Sequence, residues 1–353
     1  MTSPTLSTPT AQEFGERLFG AVLGLQLAQS TYLGDRLGYY RALAAGGPLT
    51  PAELAARTAT AERYAREWLE HQAVCGVLTV DDGHTFSLPP GTAEVLTDEL
   101  SPNHVLPLAR MCVGLGQHMD ALAAAYRSGG GVSWAEFGAD AREGQAAMNR
   151  PLLLGPVPRE YLPSVPGIAA VLERGGRVAD VGCGHGWSAI GLALAHPGVT
   201  VDGYDLDAPS IDAARRNAVD AGVADRVRFH LADAAAVTGT YDLVTAFECI
   251  HDLPDPVGVL TAMRRLAGTR GVVLVMDERV AETYTAPGDE VEQLMYGFSL
   301  MCCLPDGLAH PGSVGTGTVM RPDTLRRYAS EAGFDGAEVL PIEDTFFRFY
   351  QLV

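Results

Sequence analysis

The stretch Arg177-Val-Ala-Asp-Val-Gly-Cys-Gly-His-Gly186 decides the fold of this chain. Residues 178–181 form a short, mostly apolar run typical of a buried strand, and residues 187–196 have the pattern of the helix that follows it. Three glycines at alternate positions join the two elements: Gly182, Gly184 and Gly186. Because glycine has no Cβ, this loop can turn tightly and its backbone can approach a ligand.

The acid inside the strand, Asp180, bears on the choice of ligand. A dinucleotide-binding loop brings pyrophosphate to the helix N-terminus, where a neighbouring carboxylate would repel it. A carboxylate at this position therefore favours a cationic ligand, such as one with an ammonium or sulfonium group.

Two more acids follow the next two predicted strands. Asp205 ends the strand at 199–205, where a carboxylate can accept both hydroxyls of a ribose. Asp233 follows the strand at 227–231, where it can accept an adenine amino group. Because the carboxyl ends of successive parallel strands share one crevice, the three acids predict a nucleoside site rather than three separate solvated side chains.

These motifs, together with Tyr241-Asp-Leu-Val-Thr-Ala246, resemble those of class I S-adenosylmethionine-dependent methyltransferases. The resemblance implies an α/β, Rossmann-like, seven-stranded methyltransferase sheet with S-adenosyl-L-methionine as cofactor. It assigns the methionine part of the cofactor to Asp180, Gly182 and Gly184, the ribose to Asp205 and the adenine to Asp233. Three further residues complete the implied cofactor site: Leu206, Ala234 and Phe247.

Residues 11–100 form a separate predicted unit. A helical apolar pattern at 14–43 precedes a helix that begins at the N-cap Thr50. A further helix at 61–75 and a hairpin that turns at Asp82-Gly83 complete the unit. Helix, helix and hairpin together resemble a winged helix. The predicted fold is therefore the methyltransferase sheet preceded by a mostly helical winged-helix domain.

The charge distribution disfavours nucleic acid as a partner. The chain has 25 basic and 43 acidic residues and a net charge of −18, whereas phosphate-backbone binding needs clustered Lys and Arg. The helix that would read DNA is acidic in sum, with Glu62, Arg63, Arg66, Glu67 and Glu70. In plant-type small-molecule O-methyltransferases, which the whole chain resembles, a similar domain serves dimerisation. A homodimer is therefore implied, and a DNA-binding regulator is the alternative of another class.

Three features bear on localisation. No uncharged apolar run reaches about 18 residues, so no membrane span is expected. Residues 1–10 are rich in Ser, Thr and Pro, lack a signal-peptide pattern and are predicted to be a flexible tail. The 6 cysteines form no Cys-x-x-Cys pair, which is typical of reduced thiols in a cytoplasmic protein.

Residues 101–166 are predicted to form a helical linker and pocket lid before the cofactor-binding methyltransferase domain at 167–353. A long helix is predicted at 106–126. The polar candidates for the acceptor pocket are His118, Asn149, Arg150 and Tyr161.

The stretch Phe247-Glu-Cys-Ile-His-Asp-Leu-Pro-Asp-Pro256 contains the candidate catalytic residues. Because it follows a predicted strand, His251 and Asp252 should lie at the mouth of the crevice. Histidine suits proton transfer since its pKa lies near working pH. The resemblance to plant-type O-methyltransferases implies that His251, beside Asp252, is the general base for methyl transfer to oxygen, with Glu278 or Asp277 as its acid partner. A purely structural His-Asp cap of the next helix is the alternative.

A metal site is the other functional hypothesis. Adjacent His and Asp side chains can both ligate a first-row divalent ion. Bacterial α-keto acid C-methyltransferases, which the chain also resembles, hold zinc or iron with such a pair and a downstream histidine. Here that set would be His251, Asp252 and His310, and the ion would acidify the C–H bond of a 2-oxo acid. Both hypotheses make the protein a small-molecule methyltransferase (EC 2.1.1.-) of secondary metabolism, and the acceptor stays open.

Overall fold

A computed structural model describes residues 8–353 of the chain. Most of the predicted flexible tail, residues 1–7, lies outside the described residues. Thr10 already belongs to an ordered helix start, because its side chain accepts a hydrogen bond from the Glu13 backbone N–H. The chain divides into two compact units between Val113 and Gly114.

The N-terminal unit is mostly helical. Its elements, in chain order, are α1 (Ala11–Arg36), α2 (Tyr39–Gly46), α3 (Pro51–Thr58), α4 (Glu62–Val74), β1 (Thr79–Val80), β2 (Phe86–Ser87), α5 (Pro90–Thr97) and α6 (Leu106–Gly116). The helices and the antiparallel β1–β2 hairpin confirm the predicted winged helix. The helical apolar pattern at 14–43, which glycine interrupts, forms two helices, because Gly38 adopts a left-handed conformation with φ 70°.

Local sequence signals explain where these elements begin. Thr50 and Glu53 form a reciprocal capping box at the start of α3, and Pro51 occupies the first turn. On α4, Arg66 donates to Glu62 over 2.6 Å, and Arg63 pairs with Glu67. Both arginines of this helix are thus paired with glutamates of the same helix.

Aromatic side chains hold the N-terminal unit together. The Tyr40 hydroxyl donates to Gln72 Oε1 over 2.6 Å, and Trp68 Nε1 donates to the Ser30 carbonyl over 2.8 Å. The first bond ties α2 to α4, and the second ties the C-terminal part of α1 to α4. The first two-thirds of α1 are exposed instead.

The second unit begins with α7 (Met119–Ser128), α8 (Trp134–Leu154) and α9 (Pro166–Glu173). The helix predicted at 106–126 is therefore interrupted between α6 and α7. The rest of the unit alternates strands and helices: β3 (Arg177–Val181), α10 (Trp187–Ala195), β4 (Thr200–Asp205), α11 (Ala208–Asp220), β5 (Val227–Leu231), β6 (Leu243–Phe247), α12 (Pro256–Ala267), β7 (Val272–Glu278), α13 (Glu290–Phe298), the π-helical turn Ser299–Cys303, α14 (Leu304–Leu308), α15 (Pro322–Glu331), β8 (Ala337–Val339) and β9 (Phe347–Leu352).

Seven strands of the described chain form one sheet in the order β5-β4-β3-β6-β7-β9-β8. The first five are parallel, and β9 runs antiparallel between β7 and β8. This is the predicted seven-stranded methyltransferase sheet. The strand order reverses between β3 and β6, and ligands of open α/β sheets bind at such a switch point, outside the carboxyl ends of the strands.

The strands are apolar because helices cover both faces of the sheet. Successive residues of β3 alternate between two hydrophobic clusters, with Val178 in one and Ala179 and Val181 in the other. Among the described helices, none combines the length and the hydropathy that a bilayer span requires.

Candidate active site

The glycine loop after β3 turns through left-handed backbone. Gly182 has φ 69°, and a Cβ built on it would lie 2.7 Å from Cys249 Sγ, so a side chain at this position meets both strain and a clash. Gly184 has φ 49° and open space beside it. Glycine is thus required at Gly182 by packing against the loop after β6, and at Gly184 by conformation.

Asp180 lies behind this loop rather than in the cavity in front of it. Its Oδ2 accepts a hydrogen bond from Ser188 at 2.5 Å, and its Oδ1 accepts one from Thr245 at 2.8 Å. Burial raises the pKa of Asp180 to about 6. The carboxylate therefore ties α10 and β6 to β3. The preference for a cationic ligand that was predicted from Asp180 would act across the glycine loop rather than by direct contact.

Asp205 and Asp233 face the cavity, as their strand ends predict. Asp205 Oδ2 accepts from the Gly184 N–H and Oδ1 from the Asp207 N–H, both at 2.8 Å. Burial raises the pKa of Asp205, while the two backbone N–H groups act in the opposite direction. Asp233 is exposed at its rim and accepts from the Ala235 N–H at 2.8 Å.

One cavity of about 390 Å³ joins these residues. Its wall includes all the predicted cofactor residues except Asp180, namely Gly182, Gly184, Asp205, Leu206, Asp233, Ala234 and Phe247.

Helix α8, in the predicted lid segment, forms the opposite wall of this cavity. Arg142 Nε lies 2.7 Å from Asp207 Oδ2, and Asn149 Nδ2 donates to Glu248 Oε2 over 2.8 Å. The Trp134 N–H donates to Asp306 Oδ1 over 2.7 Å. One ion pair and two hydrogen bonds thus join α8 to the start of α11, to the loop after β6 and to α14.

Of the four polar lid candidates, Asn149 lines the cavity. The Arg150 guanidinium lies over the Trp187 ring at 4.4 Å. The Tyr161 hydroxyl donates to Asp344 over 3.2 Å, and His118 packs edge-on against an aromatic ring. Sequence reasoning missed Arg142, whose partner is distant in the sequence.

His251 lies among carboxylates at the end of β6. Its Nδ1 donates to Asp277 Oδ1 over 2.9 Å, and Glu278 Oε2 is also 2.9 Å from Nδ1 but lies outside hydrogen-bond geometry. Its Nε2 lies 3.1 Å from Asp252 Oδ1. Of the two predicted acid partners, Asp277 therefore makes the hydrogen bond.

The charges of this cluster are coupled. Burial acts to lower the pKa of His251, but Asp252, Glu278 and Asp277 raise it well above its usual range. Burial raises the pKa of Glu278, whereas the contact with His251 outweighs burial at Asp277 and lowers its pKa. These directions favour an imidazolium at His251, a carboxylate at Asp277 and a protonated Glu278.

His251 does not line the cavity, in contrast to the prediction. Its side chain is 2% exposed, whereas that of Asp252 is 27% exposed and lines the wall. The ring turns inward because Asp277 holds Nδ1 from the neighbouring strand. The group that can meet an acceptor directly is Asp252.

Three acids of the cavity wall were not predicted: Asp207, Glu248 and Asp306. Glu248 has a left-handed backbone with φ 53°, which is strained for a residue with a side chain, and it is 7% exposed. Burial raises its pKa to about 8. The signal in the sequence was a charged residue directly after a buried strand.

The predicted metal triad is not assembled. His310 is half exposed, and its Nε2 lies 3.9 Å from Asp306 Oδ1. In the described chain, the groups whose ligand atoms come within 4.8 Å of one another combine His251 with Asp252 and Cys303, or with Asp277 and Glu278, and neither includes His310. The predicted set of His251, Asp252 and His310 for zinc or iron therefore does not fit, because the loop after α14 directs His310 towards Asp306.

Comparison with known proteins adds to this geometry. Residues 155–339, more than half of the chain, match the family model described as "Methyltransferase domain". The chain belongs to this methyltransferase family. Residues 25–98 match the "Rv2258c-like winged HTH domain". The two matches confirm the predicted class I methyltransferase with an N-terminal winged helix.

Individual relatives agree with the family. A ubiquinone biosynthesis O-methyltransferase of Thiobacillus denitrificans is 30% identical over 168 residues, which are 47% of this methyltransferase and 67% of the relative. Among solved structures, mitomycin 7-O-methyltransferase MmcR is 20% identical with a TM-score of 0.72, covering 97% of this chain and 98% of MmcR. NcsB1 from neocarzinostatin biosynthesis, in complex with S-adenosylmethionine and 2-hydroxy-5-methyl naphthoic acid, is 21% identical with a TM-score of 0.62, covering 93% and 95%. At these identities the two structures establish the fold.

Proposed function

We propose that this protein transfers a methyl group from S-adenosylmethionine to an oxygen atom of a small molecule. The observation that carries the proposal is the single cavity in which the glycine loop, Asp205 and Asp233 meet at the switch point of the sheet. The names of the relatives support transfer to oxygen, and two of them, which name mitomycin and neocarzinostatin, support a role in secondary metabolism.

The side chains present fit the proposed cofactor. Asp205 offers carboxylate oxygens for ribose hydroxyls, Asp233 can accept from an adenine amino group, and the Gly184 loop leaves open space for the methionine part. When bound, the cofactor supplies an electrophilic methyl group on a sulfonium.

We assign the proton acceptor to Asp252, in place of the His251 predicted from the sequence. The acceptor hydroxyl would lose its proton to the Asp252 carboxylate as its oxygen forms the new bond to the methyl carbon, while the bond from that carbon to the sulfonium sulfur breaks and S-adenosylhomocysteine leaves. His251 would act as a positioning residue, since it contacts Asp252 with Nε2 while Asp277 fixes Nδ1. Arg142 and Asn149 on α8 would exclude water from the reacting groups.

Asp205→Ala is expected to weaken binding of S-adenosylhomocysteine by about 10²-fold or more, because hydrogen bonds to a charged group contribute about 1.5–3 kcal/mol each. Isothermal titration calorimetry measures the affinity. Asp212→Ala on α11, an exposed acid outside the cavity, is the matched control. Since Asp205 also orders the Gly184 loop, Asp233→Ala provides a second variant with little structural risk and an expected loss of about tenfold. Unchanged affinity in both variants, or no binding by the wild type, would contradict the proposal.

We further propose that the protein is a homodimer through the N-terminal unit. Phe14, Leu18, Val22 and Leu25 form an apolar stripe at helical spacing on α1, each between 44% and 56% exposed. The exposed first two-thirds of α1 pack against little of the described chain, and a helix without packing is only marginally stable in water. A second copy of the same helix would cover the stripe.

Changing both Leu18 and Val22 to Glu is expected to convert the dimer to a monomer, since it places charges in the centre of the apolar stripe. Multi-angle light scattering measures the mass, and Gln12→Glu, which adds a charge beside the helix start, serves as control. A wild-type protein that is monomeric at micromolar concentration, or a double variant that stays dimeric, would refute the assignment.

A further inference from the structure

Three acids lie near one another at one end of the cavity, since Asp252 acts electrostatically on both Glu248 and Asp306. Glu248, Asp252 and Asp306 all line it, and they come from the loop after β6 and from α14. We call these three residues the acidic end. Among the described lining residues, the basic side chains are Arg142, His185 and His310.

These basic residues leave the acidic end largely uncompensated. Arg142 is bonded to Asp207, and burial lowers the pKa of His185. His310 is half exposed and 3.9 Å from Asp306. His251, behind the wall, contacts Asp252 alone among the three acids.

Glu248 points to a missing hydrogen-bond donor. Its Oε2 accepts from Asn149, but Oε1 is buried and, among the described residues, has no hydrogen-bond partner. A buried acceptor without a donor costs free energy, so such atoms in native proteins usually meet a ligand or water. The atom belongs to a residue that is more than nine-tenths buried and lines the cavity.

We propose that Glu248 and Asp306 of the acidic end bind a protonated amine carried by the methyl acceptor, which makes the substrate a cationic small molecule, while Asp252 stays the acceptor of the hydroxyl proton. This proposal rests on the proposed methyltransferase function and adds the chemical class of its substrate. An ammonium group offers three N–H donors, which suits the free oxygen of Glu248 and the neighbouring carboxylates. Trp134, Leu253 and Pro254 of the same wall supply apolar surface for the organic skeleton.

A metal ion fits this end less well. In the described chain, Glu248 and Asp306 belong to no group of three ligand atoms within 4.8 Å of one another. Divalent ions need several ligand atoms at bonding distance from one point. Carboxylates spread along a wall suit a larger, hydrogen-bonding cation.

The proposed cofactor, S-adenosylmethionine, also carries an ammonium group. The contacts of the acidic end indicate whether the bound amine belongs to the cofactor or to the methyl acceptor. Asp306 accepts from the Trp134 N–H, and its segment bonds to Val132 through the Pro305 carbonyl. These contacts are with the segment that begins α8 rather than with the glycine loop. Asn149 of the same helix donates to Glu248, so two of the three acids are hydrogen-bonded to the lid segment, where an acceptor would enter.

Ionisation of Glu248 and Asp306 gives the site a pH dependence. Burial raises the pKa of Glu248 to about 8. Asp277 and Asp252 act in the same direction as burial, whereas Asn149 and His251 act in the opposite direction. Burial and Asp252, opposed by the Trp134 N–H, raise the pKa of Asp306 to about 7. A bound cation would displace these protons, so amine affinity should increase from about pH 6 to about pH 8.

The test compares three catechols that differ in charge: dopamine, 4-methylcatechol and 3,4-dihydroxyphenylacetate. Binding to the protein saturated with S-adenosylhomocysteine is measured by calorimetry at about pH 8. Dopamine is expected to bind at least about tenfold more tightly than the neutral probe, and the anion most weakly. Glu248→Gln and Asp306→Asn should each reduce this preference several-fold, whereas Glu290→Gln on α13, exposed and outside the cavity, should preserve it.

Four outcomes would overturn the inference. The first two are that the three probes bind equally well and that none of them binds. The third is that one equivalent of Zn²⁺ or Mn²⁺ displaces dopamine. The fourth is that Glu248→Gln loses as much affinity for S-adenosylhomocysteine as for dopamine. The last would assign the ammonium to the cofactor. If the wild type does not bind S-adenosylhomocysteine, the proposed function fails instead, and the same probe order is then measured on the ligand-free protein.

Discussion

Asp252→Asn is expected to lower the turnover number about 10²–10⁴-fold, the range that general-base catalysis contributes. Asparagine has nearly the shape of aspartate but cannot accept the hydroxyl proton. The side chain faces the cavity and contacts His251 Nε2, so the loss should fall on turnover rather than on cofactor affinity. The measurement is the release of S-adenosylhomocysteine with whichever phenol or catechol supports turnover by the wild type.

Two further variants separate the proton acceptor from its support. Asp255→Asn changes the cap of α12 in the same loop and should leave turnover nearly unchanged. His251→Gln should lower turnover less than Asp252→Asn and shift the pH–rate profile, because it removes a positive neighbour of Asp252. Near-normal turnover of Asp252→Asn together with an inactive His251→Gln would restore the histidine as the base.

The sheet and the cofactor wall could be predicted because local patterns determine them. The apolar runs of β3 to β7 and the acids at their carboxyl ends follow from strand periodicity and from parallel topology. Once parallel strands pair, Asp205 and Asp233 must meet at one edge. Asp180 does not line the cavity, because a strand residue next to the loop can face either the ligand or the helix behind it, and here Ser188 and Thr245 hold it.

The orientations of His251, Glu248 and His310 could not be predicted from the sequence, because they depend on contacts between distant segments. The inward orientation of His251 follows from its bond to Asp277, 26 positions away in the sequence. The role of Glu248 depends on a left-handed backbone and on Asn149 of α8. The position of His310 depends on how the chain leaves α14. Spacing in the sequence contains none of this information.

Glu248→Gln is expected to stabilise the protein above neutral pH by several kcal/mol. In the folded state burial raises the pKa of Glu248 from 4.5 to about 8, so the folded protein keeps a proton that the unfolded chain loses. Between those two values the stability of the wild type therefore decreases by about 1.4 kcal/mol for each pH unit, and the contribution levels off above about pH 8. Glutamine has no proton to lose, so the variant lacks this slope.

Urea unfolding of both proteins from about pH 4 to pH 9 measures the difference. At the acid end the neutral carboxyl and the amide should give similar stabilities, because both can accept the hydrogen bond from Asn149. The gap should then widen with pH up to a ceiling of about 5 kcal/mol. Glu290→Gln, at an exposed position, should show a constant difference. A difference in stability between the two proteins that stays constant or narrows with pH would contradict this prediction. It would mean that the buried Glu248 carboxyl is already ionised through closer contact with His251. It would also mean that its unpaired oxygen has a hydrogen-bond donor in the ligand-free protein.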